Sequence, residues 1–92
     1  MYLEIVSPEA TLFSGEVDSV TVPGSAGAFQ MLNNHAPIVS TLKEGTVKIS
    51  GKMDLHDSIK DKFEQEDANT TLFKINSGTV EMRNNKLILL AD

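Results

Sequence analysis

Two turn dipeptides near the end of the chain, Ser77-Gly78 and Asn84-Asn85, constrain the fold more than any other feature of the sequence. Each is a two-residue signal of the kind that closes a tight β-hairpin. A loop at 84–85 pairs Arg83 with Lys86, sets Met82 opposite Leu87 and sets Val80 opposite Leu89. A loop at 77–78 pairs Asn76 with Thr79, sets Ile75 opposite Val80 and sets Phe73 opposite Met82. Directly opposed residues project to the same side of a sheet. The two turns, placed independently, therefore put Phe73, Ile75, Val80, Met82, Leu87 and Leu89 on one face. A one-residue slip would scatter that set. The expectation is a three-stranded meander with one buried face.

The first fifty residues read as more short strands. Tyr2–Val6 is extended and stops at Ser7-Pro8, because proline cannot donate to a ladder. Residues 12–14 form a short extended piece ending at Gly15. Residues 17–22 are rich in valine, but Val17 falls on the face opposite Val20 and Val22, so a bulge near Ser19 is expected. Residues 23–27 form a turn with two glycines, Gly24 and Gly27, able to take positive φ. Phe29 and Met31 share a face that reads as core, and an Asn33-Asn34-His35-Ala36-Pro37 loop separates them from Ile38, Val39 and Leu42. Val47 and Ile49 alternate after Gly45.

Residues 51–70 carry two competing periods. Leu55, Ile59 and Phe63 recur at i, i+4, i+8 as on a helix, while Met53, Leu55, Ile59 and Phe63 also fall at odd positions as on a strand. The good helix formers of residues 60–66 favour a short helix or a long loop. The whole chain, residues 1–92, then reads as one all-β domain, a sandwich or barrel of short strands.

Composition excludes several functions. A chain of 92 residues buries only roughly 60–65% of its unfolded surface, so its core is thin. Net charge is −5 with one tyrosine, four phenylalanines and no tryptophan, which argues against nucleic acid as a partner. The absence of cysteine removes disulfides and thiolate metal sites. The N-terminus lacks the basic and apolar regions of a signal peptide. The longest apolar run, residues 87–91, is far short of the ~20 residues a spanning helix needs. Membrane association is therefore expected only through a partner.

No catalytic constellation emerges. His35 and His56 are the only histidines, and neither has a ligand partner two or four residues away, so no metal site is expected. The residues 23–28 look like half a phosphate loop, without its lysine or the helix that would follow. Ser14-Gly15 and Ser77-Gly78 lack the context of a nucleophile elbow. The expectation is a protein that is not an enzyme and needs no cofactor.

Taken in order, several short motifs carry a resemblance. They are Val6-Ser7-Pro8-Glu9, Leu12-Phe13-Ser14-Gly15-Glu16-Val17, Val20-Thr21-Val22-Pro23-Gly24, Gly27 and His35-Ala36-Pro37, followed by residues 78–81, Asn85 and Leu90-Ala91-Asp92. In this order and spacing the chain resembles the epsilon subunit of the F-type ATP synthase. The likeness spans residues 1–50 and about 72–92, and residues 51–70 are longer than the hairpin usual in that family.

The resemblance implies a β-sandwich of about ten strands at the foot of a rotary stalk. Such a subunit docks on the gamma subunit, rests on the c-subunit ring and reaches the catalytic alpha/beta headpiece only indirectly. It couples ring rotation to ATP synthesis driven by a proton or sodium gradient, without chemistry of its own. It lies peripherally on the cytoplasmic face of the bacterial cell membrane, held there by the complex. By position, Ser7, His35 and Ser40 match places where the family meets gamma. Gly24, Ser25, Ala26, Gly27, Ala28, Asn33 and Asn34 match the face toward the ring. Two departures stand out: Ala28 occupies a position that is often acidic, and the chain stops where many relatives continue into two helices. The auto-inhibition and ATP binding carried by those helices are therefore not expected here. The alternative to this reading is a stand-alone β-sandwich module binding peptide or carbohydrate, which would need an exposed aromatic platform.

Overall fold

The computed structural model describes all 92 residues, as ten strands and one short 3-10 turn. The strands are β1 (Tyr2–Val6), β2 (Thr11–Glu16), β3 (Ser19–Val22), β4 (Phe29–Leu32), β5 (Ile38–Leu42) and β6 (Gly45–Ser50), then β7 (Phe63–Asp67), β8 (Thr70–Ile75), β9 (Gly78–Arg83) and β10 (Lys86–Ala91). They form two five-stranded sheets. The first runs β2-β1-β10-β9-β5 and the second β4-β3-β6-β8-β7. β1 and β10 lie side by side in parallel, with Tyr2 beside Lys86 and Val6 beside Leu90. The sandwich is the expected fold class.

Alternation along each strand decides what is buried. Leu3 and Ile5 of β1, Val80 and Met82 of β9, and Leu87 and Leu89 of β10 face inward from the first sheet. Val20, Met31, Val47, Ile49, Phe73 and Ile75 meet them from the second. The resulting core cluster has nineteen buried apolar residues. Such a two-sided core is what antiparallel sheets with one apolar face form when they pack together.

The two turn dipeptides behave differently. Asn84 and Asn85 both have positive φ, 54° and 60°, the backbone a tight hairpin turn demands. β9 and β10 pair in the expected register, Arg83 with Lys86 and Val80 with Leu89. Ser77-Gly78 closes no hairpin, which corrects the three-stranded meander. β8 pairs with β6 and β7 in the second sheet, while β9 pairs with β10 and β5 in the first. The chain crosses between sheets at Ser77. All six residues of the expected face are nonetheless buried. In a sandwich both inner faces look at one core, so alternation cannot tell a hairpin from a crossover. Gly78 serves close packing instead, since a Cβ there would run into the Leu90 carbonyl oxygen.

Three local expectations also change. No bulge forms at Ser19. Val17 lies before β3 and reaches the core from a loop whose N–H donates to the Met1 carbonyl at 2.9 Å. The irregularity falls instead between β1 and β2, at Ile5/Val6, where Leu12 is the extra residue and both Leu12 and Phe13 turn inward. Of the two glycines in the 23–27 turn, only Gly27 has positive φ, at 135°. Gly24 is buried and forms an isolated bridge to Leu42.

Residues 51–70 are neither all loop nor helix. β6 ends at Ser50, and the φ of 133° at Gly51 turns the chain away from the sheet. An irregular strap follows, then the 3-10 turn Lys60–Lys62, then β7. β7 pairs antiparallel with β8, and Phe63 stacks on Phe73 with ring centroids 4.9 Å apart. Partner hydrogen bonds and that stack override the helix preference of residues 60–66. Met53, Leu55, Ile59 and Phe63 pack half-buried against the core. One buried polar atom stays unpaired, the Thr71 hydroxyl on the inner face of β8 opposite Ile49.

Candidate functional site

The register of the first sheet fixes what it shows to solvent. Across its outer face run three rows of side chains. At the end marked by the Asn84 turn lie Arg83, Lys86, Tyr2 and Glu16. In the middle lie Val39, Glu81, Ile88, Glu4 and Ser14. At the end marked by the Ser7 turn lie Thr41, Thr79, Leu90, Val6 and Thr11. The third row carries no charge. Tyr2, Val39 and Leu90 are three of the four exposed large apolar residues of the chain, and Val39 is 73% exposed. Ile88 and Val6 lie half-buried between them. Glu81 stands between Val39 and Ile88 in the middle row, while Leu90 and Val6 adjoin in the third; exposed apolar side chains grouped on one face of a small domain mark an interaction face. Within the charged residues of this face, the Lys86 ammonium is 3.9 Å from Glu4 and 5.7 Å from the centre of the Tyr2 ring. Tyr2 is thus covered by Lys86 and stands alone, which is not the aromatic platform of a carbohydrate module.

The outer face of the second sheet is mostly polar, with Leu32, 55% exposed, and half-buried Leu72 as its apolar members. Thr21, Gln30, Thr46, Lys48, Thr70 and Lys74 point outward there. Lys48 pairs with Glu66 at 3.4 Å across to the edge strand β7. Along β7, Glu64, Gln65, Glu66 and Asp67 are all exposed, a charged edge of the kind that discourages further strand pairing. The Asn69 N–H donates to the Asp67 carboxylate at 2.8 Å and, with Thr70, holds its pKa below the usual carboxylate value.

The residues expected to meet partners do not gather at one point. Ser7 is half-buried at the end of β1, where its N–H donates to Ala10 O at 2.9 Å and its hydroxyl donates to the same oxygen at 3.2 Å. His35 is half-buried at the opposite end, with Nδ1 2.7 Å from the Ala36 carbonyl oxygen. Ser40 is half-buried and shares the inner side of edge strand β5 with Val80, its hydroxyl donating to Thr41 O at 3.0 Å. Three strand spacings, about 14 Å, separate β1 from β5. Ser7, His35 and Ser40 therefore lie around the margin of the outer face, not on it. The residues that fill that face, Val39, Ile88, Leu90 and Val6, were missed as a site. Their outward register in the β1-β10-β9-β5 order would have shown them.

The seven other expected residues divide in two. Gly24 to Ala28 lie at the Ser7 end, where Ser25 N–H donates to Thr41 O at 3.0 Å and the Thr41 hydroxyl donates to Ser25 Oγ at 2.9 Å. Ser25, Ala26, Gly27 and Ala28 are exposed. Asn33 and Asn34 lie at the other end of β4. The Met1 amino group donates to Asn33 Oδ1 and to Val17 O, and the Asn34 N–H donates to Asn85 Oδ1 at 2.7 Å.

No group of three or more His, Cys, Asp or Glu is placed to hold a metal. No helix is long and apolar enough to cross a membrane. The arrangement is suited to docking.

Comparison with known proteins agrees with this architecture. The family model described as "ATP synthase, Delta/Epsilon chain, beta-sandwich domain" matches residues 1–92, so the match takes in the 51–70 segment that the motif resemblance left out. The ATP synthase epsilon chain of Chlorobium limicola is 40% identical over 90 residues, covering 98% of this chain and 86% of that protein. The epsilon chain of Campylobacter curvus is 37% identical over 92 residues, covering all of this chain and 60% of that one. Among solved structures, a chain in the central stalk and c ring of the Tetrahymena thermophila mitochondrial ATP synthase superposes with a TM-score of 0.69 at 13% identity, over 99% of this chain and 62% of that one. A chain of the Euglena gracilis mitochondrial ATP synthase gives 0.73 at 15%, over 97% and 48%. At those identities the structures speak for the fold.

Proposed function

The chain belongs to the delta/epsilon β-sandwich family of the ATP synthase, and we propose that it acts as a non-catalytic subunit of the rotor stalk, coupling rotation of the c ring to the gamma subunit. The observation that carries this reading is the outer face of the first sheet. Leu90 and Val6 lie in a row without charge, and Val39 and Ile88 lie in the adjoining row on either side of Glu81, so exposed and half-buried apolar side chains gather on this face. In this reading gamma docks there, with Ser7, His35 and Ser40 as contacts at the margin. The turn from Gly24 to Ala28, exposed from Ser25 onward, faces the ring. Asn33 and Asn34, at the other end of β4, are exposed and tied to Met1 and Asn85. The subunit takes no cofactor and supports synthesis driven by a proton or sodium gradient. It is peripheral on the cytoplasmic face of the bacterial cell membrane, held through its partners.

Reconstitution tests this. Added to an ATP synthase depleted of its epsilon chain, the protein is expected to bind stoichiometrically and to raise the ions pumped per ATP hydrolysed. Absence of binding, or binding with coupling unchanged, refutes the proposal.

A further inference from the structure

The strap between Gly51 and β7 is attached unlike any other part of the molecule. From Lys52 to Ser58 no backbone group hydrogen-bonds to a strand; the Gly51 N–H bond to Asn69 O, at 2.8 Å, is the last tie before it. The two bonds further along, Ile59 N–H to His56 O and Lys62 N–H to Ile59 O, are both internal to the segment. Its hold on the sandwich is the partial burial of Met53, Leu55 and Ile59. A solvent-open cleft of about 470 Å³ is lined by Asp54, His56, Ser58 and Ile59 of the strap and by residues 10–14, Leu12 and Phe13 among them. The strap's two ends, by contrast, are fixed. Gly51 holds a φ of 133°, and a Cβ there would press on Asp18 N and Val17 Cα. At the other end Phe63 is stacked on Phe73 and β7 is paired with β8.

We infer that residues 52–62 form a gate over the outer edge of β2 that opens as a unit while both sheets stay intact. Few buried apolar contacts and no shared ladder place a segment at the low end of local stability. The anchors at Gly51 and Phe63 confine the opening to this segment. Open, it uncovers Leu12 and Phe13, two neighbouring apolar side chains turned inward by the β1–β2 bulge. β2 is an edge strand, paired on one side only, with β1. The closed strap therefore lies across a cleft from a free sheet edge, a place where proteins need protection from unwanted pairing.

The chain has no cysteine, so single thiols report directly on each region. Leu12→Cys places a thiol beneath the strap and Val47→Cys places one at the centre of the core. In native buffer the Leu12→Cys thiol is expected to react with a thiol reagent at least tenfold faster than Val47→Cys, and at least tenfold slower than an unfolded control. Dilute urea should leave the first rate nearly flat and raise the second steeply. Ile59→Ala in the Leu12→Cys background should speed labelling several-fold. Equal rates with equal urea dependence would mean that the strap moves only when the whole domain unfolds, which overturns the inference. Labelling as fast as the unfolded control would mean there is no closed state, with the same consequence. The unmodified chain gives an independent reading. Trypsin should cut first at Lys52, Lys60 or Lys62 and leave a nicked protein whose pieces stay together and melt cooperatively. Cutting only at urea concentrations that unfold the sheets overturns the inference as well.

Discussion

The two sheets share one core but meet solvent in opposite ways. The second sheet carries lysines, threonines and an acidic edge strand outward, with Lys48 and Glu66 in contact. Its apolar exceptions are Leu32, 55% exposed, and half-buried Leu72. The first sheet shows Val39, Leu90 and Tyr2, with Ile88 and Val6 between them. Isolated exposed apolar residues are ordinary on any protein, but a cluster on one sheet face is informative. The difference teaches that exposed apolar side chains gather more on the first sheet than on the second, which is the contrast the proposed docking on the first sheet rests on.

The largest expected effect tests the division between inside and outside. Leu89 and Leu90 are neighbours on β10, one fully buried and the other 48% exposed. Leu89→Ala should cost about 2–5 kcal/mol of unfolding free energy through the cavity it leaves. Leu90→Ala should stay within about 0.5 kcal/mol in the isolated chain. Chemical denaturation measures both, and similar losses would mean that Leu90 is not free surface.

Gly78→Ala comes next. It probes where the chain leaves the second sheet for the first, and the added methyl has to displace the Leu90 carbonyl. A loss of about 1–3 kcal/mol is expected from overpacking. An unchanged melting temperature would show that β9 and β10 part easily at that end.

Smaller still is the effect of Thr71→Val, which replaces an unpaired buried hydroxyl by a methyl of the same shape. Relief of that desolvation should stabilise the second sheet by up to about 1 kcal/mol. A clear loss of stability would reveal a partner for the hydroxyl, such as an ordered water.

The smallest effect concerns Asp67 on the exposed edge of β7. Its pKa is lowered in the fold, chiefly by the Asn69 N–H and then by Thr70. A depressed carboxylate pKa contributes stability above the unfolded value, and that contribution fades as pH falls through the folded value. Asp67→Asn should therefore flatten stability against pH slightly below pH 3.8, the ordinary value, and leave the rest of the curve unchanged. A difference that grows toward neutral pH would contradict that cause.

Much of this organisation could be read from the chain, for identifiable reasons. Asn84-Asn85 announced its hairpin because two consecutive asparagines accept positive φ. The inward set from Phe73 to Leu89 was legible because alternation is local. Which sheet each strand joins was not, because Ser77-Gly78 looks the same whether the chain doubles back or crosses over. β7 stayed hidden because its stability comes from β8 and from Phe73, not from its own residues. The proposed docking face was invisible for a related reason. Val39, Ile88, Leu90 and Val6 come from three strands, and only the parallel pairing of β1 with β10 brings the last of them alongside.

The affinity for the gamma subunit tests the central claim most directly. Val39→Asp and Leu90→Asp charge the outer face of the first sheet, and Leu72→Asp charges that of the second. With folding checked by melting temperature, calorimetric titration of gamma should show binding weakened at least tenfold by each of the first two and within twofold of the unmodified chain for the third. Full affinity in both first-sheet variants, or a loss confined to Leu72→Asp, would contradict the assignment of the first sheet as the docking face.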